Sequence, residues 1–256
     1  MPFSADVLNV LAREVSPNLR FGMLHGLIVQ LGFDFFGFTC WTSFDPRPLL
    51  WSTWPAGWIQ RYRSSKYMDI DPRIEHCRRS ILPISWNEGF FRAAPGLWDD
   101  AQAFGLCHGW SQGAHSEGVF SILDVAREQG PISDEEWYEK AGQVLLLCNL
   151  IHMQQVDDLK RRIEDLHLTT REIEVLHWSA IGKTAEEVAD ILHLSESTVN
   201  FHSRNTIVKL GVQNKVAAIA RAAQLGLFIN HEERRVSDEP TPYSRRASDW
   251  ALASGA

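Results

Sequence analysis

The 256-residue chain has few cysteines, no long apolar run and no basic block. Its four cysteines (Cys40, Cys77, Cys107 and Cys148) stand far apart and form no CxxC pair. That argues against a disulfide framework or a zinc knuckle and fits a reduced, cytoplasmic chain. No stretch approaches the ~18 consecutive apolar residues of a membrane span. The opening residues lack a basic stretch followed by an apolar one, so no secretory signal is expected. Lys and Arg number 25 against 32 Asp and Glu, a formal net charge of −7. The deficit is uneven: residues 1–165 carry 15 against 21, residues 166–230 carry 6 against 6, and residues 231–256 carry 4 against 5. Charge alone therefore nominates no nucleic-acid surface, and placement has to decide. No internal repeat appears.

At 45% hydrophobic, the chain has ample material for a core, which excludes a wholly disordered or fibrous protein. Eight of its ten tryptophans fall in residues 1–155. There, residues 33–41, 49–54 and 118–126 are rich in aromatic and β-branched residues and read as strands. Residues 57–67, 72–80, 97–105 and 133–155 read as helices. The last of these opens on Ser133 with Glu136 three residues on, a capping-box spacing. The mixture predicts an α+β fold: an N-terminal α/β/α sandwich with an antiparallel sheet over residues 1–160. A charge-dense linker is expected at 161–167, and an all-α four-helix domain over 168–231. Residues 232–256 hold prolines, serines and mixed charge with no apolar face, and are expected to be disordered.

In the helical part, Thr169 or Thr170 can cap a first helix, with Gly182 placed to end it. Thr184, with Glu187 three residues on, caps a second; Ser195 caps a third that ends near Gly211; a fourth follows. Two short helices joined by a tight turn, the second offering small polar and basic side chains, form a helix-turn-helix. Such a helix enters the major groove of double-stranded DNA, where Asn pairs with adenine and Arg with guanine. Thr198, Asn200, Arg204 and Asn205 are the candidate readers. Lys183, Thr184, Ser195, Ser197, Lys209 and Lys215 are candidate phosphate contacts, aided by N–H groups at helix N-termini. Helical hairpins made for protein contacts share this pattern. The full string LTTREIEVLHWSAIGKTAEEVADILHLSESTVNFHSRNTIVKLGV resembles the DNA-binding domain of the LuxR family of bacterial transcription regulators. Glu172, Leu176, Gly182, Thr198, Val199, Lys209 and Leu210 sit where that motif wants them.

The N-terminal part lacks the early acidic pair and parallel sheet of a phosphoacceptor receiver. It has instead Trp54-Pro55, Trp58, Tyr62 four residues on, Asp71-Pro72 nine beyond that, then Trp86 and Gly109. Read plainly, Trp58, Tyr62 and Trp86 are core residues, and Asp71 before Pro72 is an ordinary helix N-cap. Yet the series resembles the acyl-homoserine-lactone-binding domain of quorum-sensing LuxR regulators. The resemblance implies a small-molecule autoinducer held by Trp58 on the lactone carbonyl, Asp71 on the amide N–H and Tyr62 on the acyl carbonyl, with Trp54 and Trp86 as apolar walls.

Two residues depart from that pattern. Arg73 stands where a small residue is usual, and Asp124 falls where a Ser or Thr is usual. Isolated buried charges are costly, so the two are expected to pair with one another, to find partners on the ligand, or to have one point outward. A one-residue slip in strand register would instead turn Val119, Ser121, Leu123 and Val125 toward the cavity. Taken together, the resemblances imply a homodimeric regulator that senses an acyl-homoserine lactone or a similar molecule and binds a palindromic promoter site, with RNA polymerase as a partner. No cofactor, metal, catalytic set or membrane partner is expected. A relative that ignores lactones is the alternative, and a lactone-processing enzyme is a remote one.

Overall fold

The computed structural model describes residues 3–228 apart from 44, 46 and 117. The expected tail, 232–256, lies outside the described residues. The chain divides into two compact units, Met1–Lys160 and Arg161–Ala256.

The first unit is built on a five-stranded antiparallel sheet. Its strands are β1 (Phe35–Thr42), β2 (Leu49–Ser52), β3 (Ile84–Ser85), β4 (His108–Ser116) and β5 (Val119–Arg127), in spatial order β2-β1-β5-β4-β3. Three of these match expected strands, with β2 two residues shorter. β3 and β4 were not anticipated, because the β4 sequence HGWSQGAHS is polar and small and carries little strand propensity. Its neighbours supply what propensity does not: β4 pairs with β5 along its whole length, and six of its nine residues are buried.

Helices cover both faces. α1 (Ala5–Arg13), α2 (Pro17–Gln30) and the long α6 (Asp134–Glu164) lie on one side. There Phe21 of α2 meets Phe36, and His152 of α6 hydrogen-bonds Ser121 at 3.0 Å. α3 (Trp58–Ser64), α4 (Pro72–Arg79) and α5 (Pro95–Ala103) cover the other side. Trp58, Tyr67, Trp86, Phe91 and Leu97 form an aromatic core there against Ala126. Two glycines permit the close fit. A Cβ at Gly109 would collide with the Val125 carbonyl and the Trp86 ring, and one at Gly37 would fall within the ring of Trp54.

Ser133 caps α6 through the Glu136 N–H at 3.1 Å, but the expected reciprocal bond gives way to a stronger use of the Glu136 carboxylate. It takes a two-pronged grip from Arg127, at 2.6 and 2.7 Å, and a contact from Lys140 at 2.6 Å. α6 also runs on to Glu164, so helix occupies the first part of the segment expected as a linker.

The second unit contains α7 (Thr170–Ala180), α8 (Ala185–Leu192), α9 (Glu196–Lys209) and α10 (Lys215–Gln224). Complete capping boxes open two of these: Thr169 with Glu172 and Thr184 with Glu187. Ser195 caps α9 and Asn214 caps α10. Val175, Val188, Ala189, Leu192 and Val199 pack together, locking α9 against α7 and α8.

Candidate functional site

A cavity of about 510 Å³ opens in the first unit between the sheet and helices α3 and α4. Six of the seven nominated ligand residues, Trp54, Trp58, Tyr62, Asp71, Arg73 and Asp124, line it. The seventh, Trp86, does not. It is buried behind the cavity, with the Arg73 guanidinium 4.8 Å over its ring. Thr39, Trp41, Leu50, Ile59, Met68, Ile74 and Ile122 complete the apolar wall, with Arg47 and Arg63 also on the lining. Sequence spacing missed these because they come from five elements (β1, β2, α3, α4 and β5) and the segments beside them.

Local structure explains how the polar groups converge. Pro72 at the first turn of α4 fixes Asp71 as N-cap, and the Asp71 Oδ1 accepts the Arg73 N–H at 2.9 Å. That turn aims the Arg73 side chain back at its own cap. Arg73 Nε donates to both Asp71 oxygens at 3.0 and 3.1 Å, and Nη2 donates to Oδ2 at 2.6 Å. Tyr62, one α3 turn beyond Trp58, donates its hydroxyl to the same Oδ2 at 2.7 Å.

On the facing strands, Ser111 of β4 and Asp124 of β5 are register partners. The Ser111 hydroxyl donates to Asp124 Oδ1 and accepts from Trp86 Nε1 at 2.9 Å. Asp124 Oδ2 then lies 3.5 Å from Arg73 Nη1. The register thus places Ile122 and Asp124 on the cavity wall, while Ser121 meets His152 on the opposite face. The slipped arrangement is not the one adopted. Ser111 is a residue that sequence reasoning missed; its only signal was a place two beyond Gly109.

The electrostatics follow from burial. Asp124 is pushed above the ordinary carboxylate range by burial, against the pull of Arg73 and the Ser111 bond. Burial opposes the charge on Arg73, but Asp71 and then Asp124 more than offset it, and the guanidinium is held well above its ordinary value. Burial and the Asp71 charge together push the Tyr62 hydroxyl up. What the set offers toward the cavity is hydrogen-bond donors and acceptors already braced by one another.

In the second unit, α9 turns Ser197, Asn200 and Arg204 outward, while Val199, Ser203 and Thr206 are buried. Asn205 and Thr198 are half-buried, and Thr198 Oγ1 lies 2.7 Å from Ser195 Oγ. Phe201 and Val208 share the outward face, 59% and 77% exposed, and were not singled out in the sequence. Thr184 and Ser195 are exposed caps; Lys183 reaches Glu187 at 2.9 Å; Lys215 is half-buried at the start of α10. Lys209 takes a different place from the one expected. Its ammonium donates to buried Glu172 at 2.7 Å and to the His167 carbonyl at 2.8 Å, tying α9 to the start of α7.

A helix-turn-helix unit joined to an α/β/α sandwich with a polar-tipped apolar cavity defines a class: DNA-binding proteins with a small-molecule sensor. Known proteins agree. The autoinducer binding domain model matches residues 20–154, and the model of bacterial regulatory proteins of the luxR family matches residues 166–222. The chain is 32% identical to the transcriptional activator protein AnoR of Acinetobacter nosocomialis, over 87% of this chain and 98% of that protein. It is 34% identical to the quorum-sensing regulator RhlR of Pseudomonas aeruginosa, over 81% and 90%. Its fold matches a structure of SdiA in complex with octanoyl-rac-glycerol, with a TM-score of 0.74 and 27% identity over 89% of this chain and 98% of that one. The chain belongs to the LuxR family of quorum-sensing transcription regulators, with an autoinducer-binding domain followed by a helix-turn-helix.

Proposed function

We propose that this protein is a cytoplasmic, homodimeric transcription regulator that senses an acyl-homoserine lactone or a related acyl compound and binds a palindromic promoter element. Residues 1–160 act as the sensor and 168–231 as the DNA reader. The observation that carries the reading is the cavity: an apolar volume of about 510 Å³ into which Tyr62, Asp71, Arg73 and Asp124 bring polar groups. Small-molecule sites have this build, with an apolar lining for bulk and a few polar groups for orientation. Ligand occupies the sensor core, stabilises the folded unit by mass action and favours the dimer. Two-fold symmetry then sets two α9 helices against two half-sites, with Asn200 and Arg204 reading bases and RNA polymerase recruited beside them.

A second reading replaces the lactone with another acyl compound. Two observations favour it. Asp71 is already engaged by Arg73 and Tyr62, so a ligand amide must compete for it; and the SdiA structure holds an acylglycerol. Mass spectrometry of small molecules extracted from the purified full chain tests both. A bound acyl lactone supports the first reading, a different acyl compound the second, and an empty cavity after expression with either supplied counts against both.

A further inference from the structure

We propose that Arg73 and Asp124 together select for a hydroxyl on the ligand's acyl chain, favouring hydroxyacyl ligands over oxoacyl and unsubstituted ones. This rests on the reading of the cavity as a site for an acyl ligand, and it names a chemical class within it.

Arg73 and Asp124 are each held at one end by other side chains. Arg73 is anchored through Nε and Nη2 to the Asp71 carboxylate, and Trp86 backs its guanidinium at 4.8 Å. Asp124 is anchored through Oδ1 to Ser111, which Trp86 holds in turn. What each presents to the other is its remaining end: Nη1 of Arg73 and Oδ2 of Asp124, 3.5 Å apart. A well-formed bond between such groups is shorter, about 2.7–2.9 Å. The two groups attract without closing on each other, because both are fixed from behind. Both side chains line the cavity, so this gap faces the space a ligand takes.

A donor and an acceptor side by side make a selective pair. A hydroxyl both accepts and donates: it can take a hydrogen bond from Nη1 and give one to Oδ2. A keto oxygen only accepts, so it satisfies Arg73 and sets a second lone-pair oxygen against Asp124. A methylene does neither, and it strips water from two charged groups with no compensation.

The test uses the full chain and three acyl-homoserine lactones of one chain length: 3-hydroxy, 3-oxo and unsubstituted. Affinity is read from the rise of melting temperature with ligand concentration. The 3-hydroxy compound should bind at least about tenfold more tightly than either of the others. In Asp124→Asn the side-chain amide becomes a donor, so the preference should shift toward the 3-oxo compound. Comparable binding of all three by the wild-type chain overturns the inference and leaves the acyl-ligand reading standing. A hydroxyl preference that survives Asp124→Asn overturns it as well. If none of the three raises the melting temperature, the lactone reading falls and takes this inference with it.

Discussion

Asp71 carries three duties. It caps α4 through the Arg73 N–H, accepts the Tyr62 hydroxyl and holds the Arg73 guanidinium. Its substitution is therefore not a clean probe of ligand binding. Asp71→Asn keeps the cap and the size but strips a buried cation of its closest counter-charge, so the chain should lose roughly 3 kcal/mol or more of stability in urea unfolding. Arg73→Met added to Asp71→Asn should recover part of that loss, since it removes the orphaned cation and leaves Asp124 held by Ser111. Strict additivity in that double-mutant cycle would deny the coupling.

Glu136 gives a pH signature. Its bonds from Arg127, opposed by burial and joined by those from Lys140, lower its carboxyl from the ordinary 4.5 to about 2. The folded-state value is depressed, so the contribution is fully present above pH 4.5 and is lost as pH falls toward about 2. The stability gap between wild type and Glu136→Gln, read by urea midpoints, should be wide at pH 6 and close progressively below pH 4.5.

Among the elements, α9 separates an outward face from residues that hold the helix in place. Asn200 and Arg204 lie four apart on the outward face, and Phe201 and Val208 flank them. Arg204→Ala should cost about 1–3 kcal/mol of specific DNA affinity and relax preference at one base position, as read by binding selection. Lys209 and Lys183 should part company. Lys183 bridges to exposed Glu187, so Lys183→Ala should lower the slope of log affinity against log salt by about one. Lys209→Ala should leave that slope alone. It instead takes the counter-charge from Glu172, 2% exposed, which keeps only its Thr169 N–H bond among the hydrogen bonds described, and should destabilise the fold by about 1.5–3 kcal/mol in thermal unfolding.

At the scale of the whole molecule, the proposed sensor role links occupation of the cavity to folding. A ligand that binds only the folded chain at 100-fold over its dissociation constant adds about 2.7 kcal/mol. The melting temperature should therefore climb with the logarithm of concentration for a true ligand and stay flat for its ring-opened acid. Fluorescence melts of the full chain over a dilution series check this.

The sequence by itself determined the helices of the second unit, because their signals are local: Thr169 with Glu172, Thr184 with Glu187, and Ser195 ahead of an amphipathic run. It also determined that Asp71 and Pro72 start a helix, and that Trp58 and Tyr62 share a face. It missed α1, α2, β3 and β4. β4 in particular is a strand because β5 pairs with it, not because HGWSQGAHS favours one. It raised Arg73 and Asp124 as an anomaly without choosing between registers. Only the tertiary structure decided that Asp124 lies opposite Ser111 and faces the cavity, that Trp86 stands behind Arg73 and not beside the ligand space, and that Lys209 serves Glu172. These are all contacts between residues distant in the chain. Their partners are set by strand register and helix docking, which depend on the packing of the core as a whole and leave no mark in local spacing.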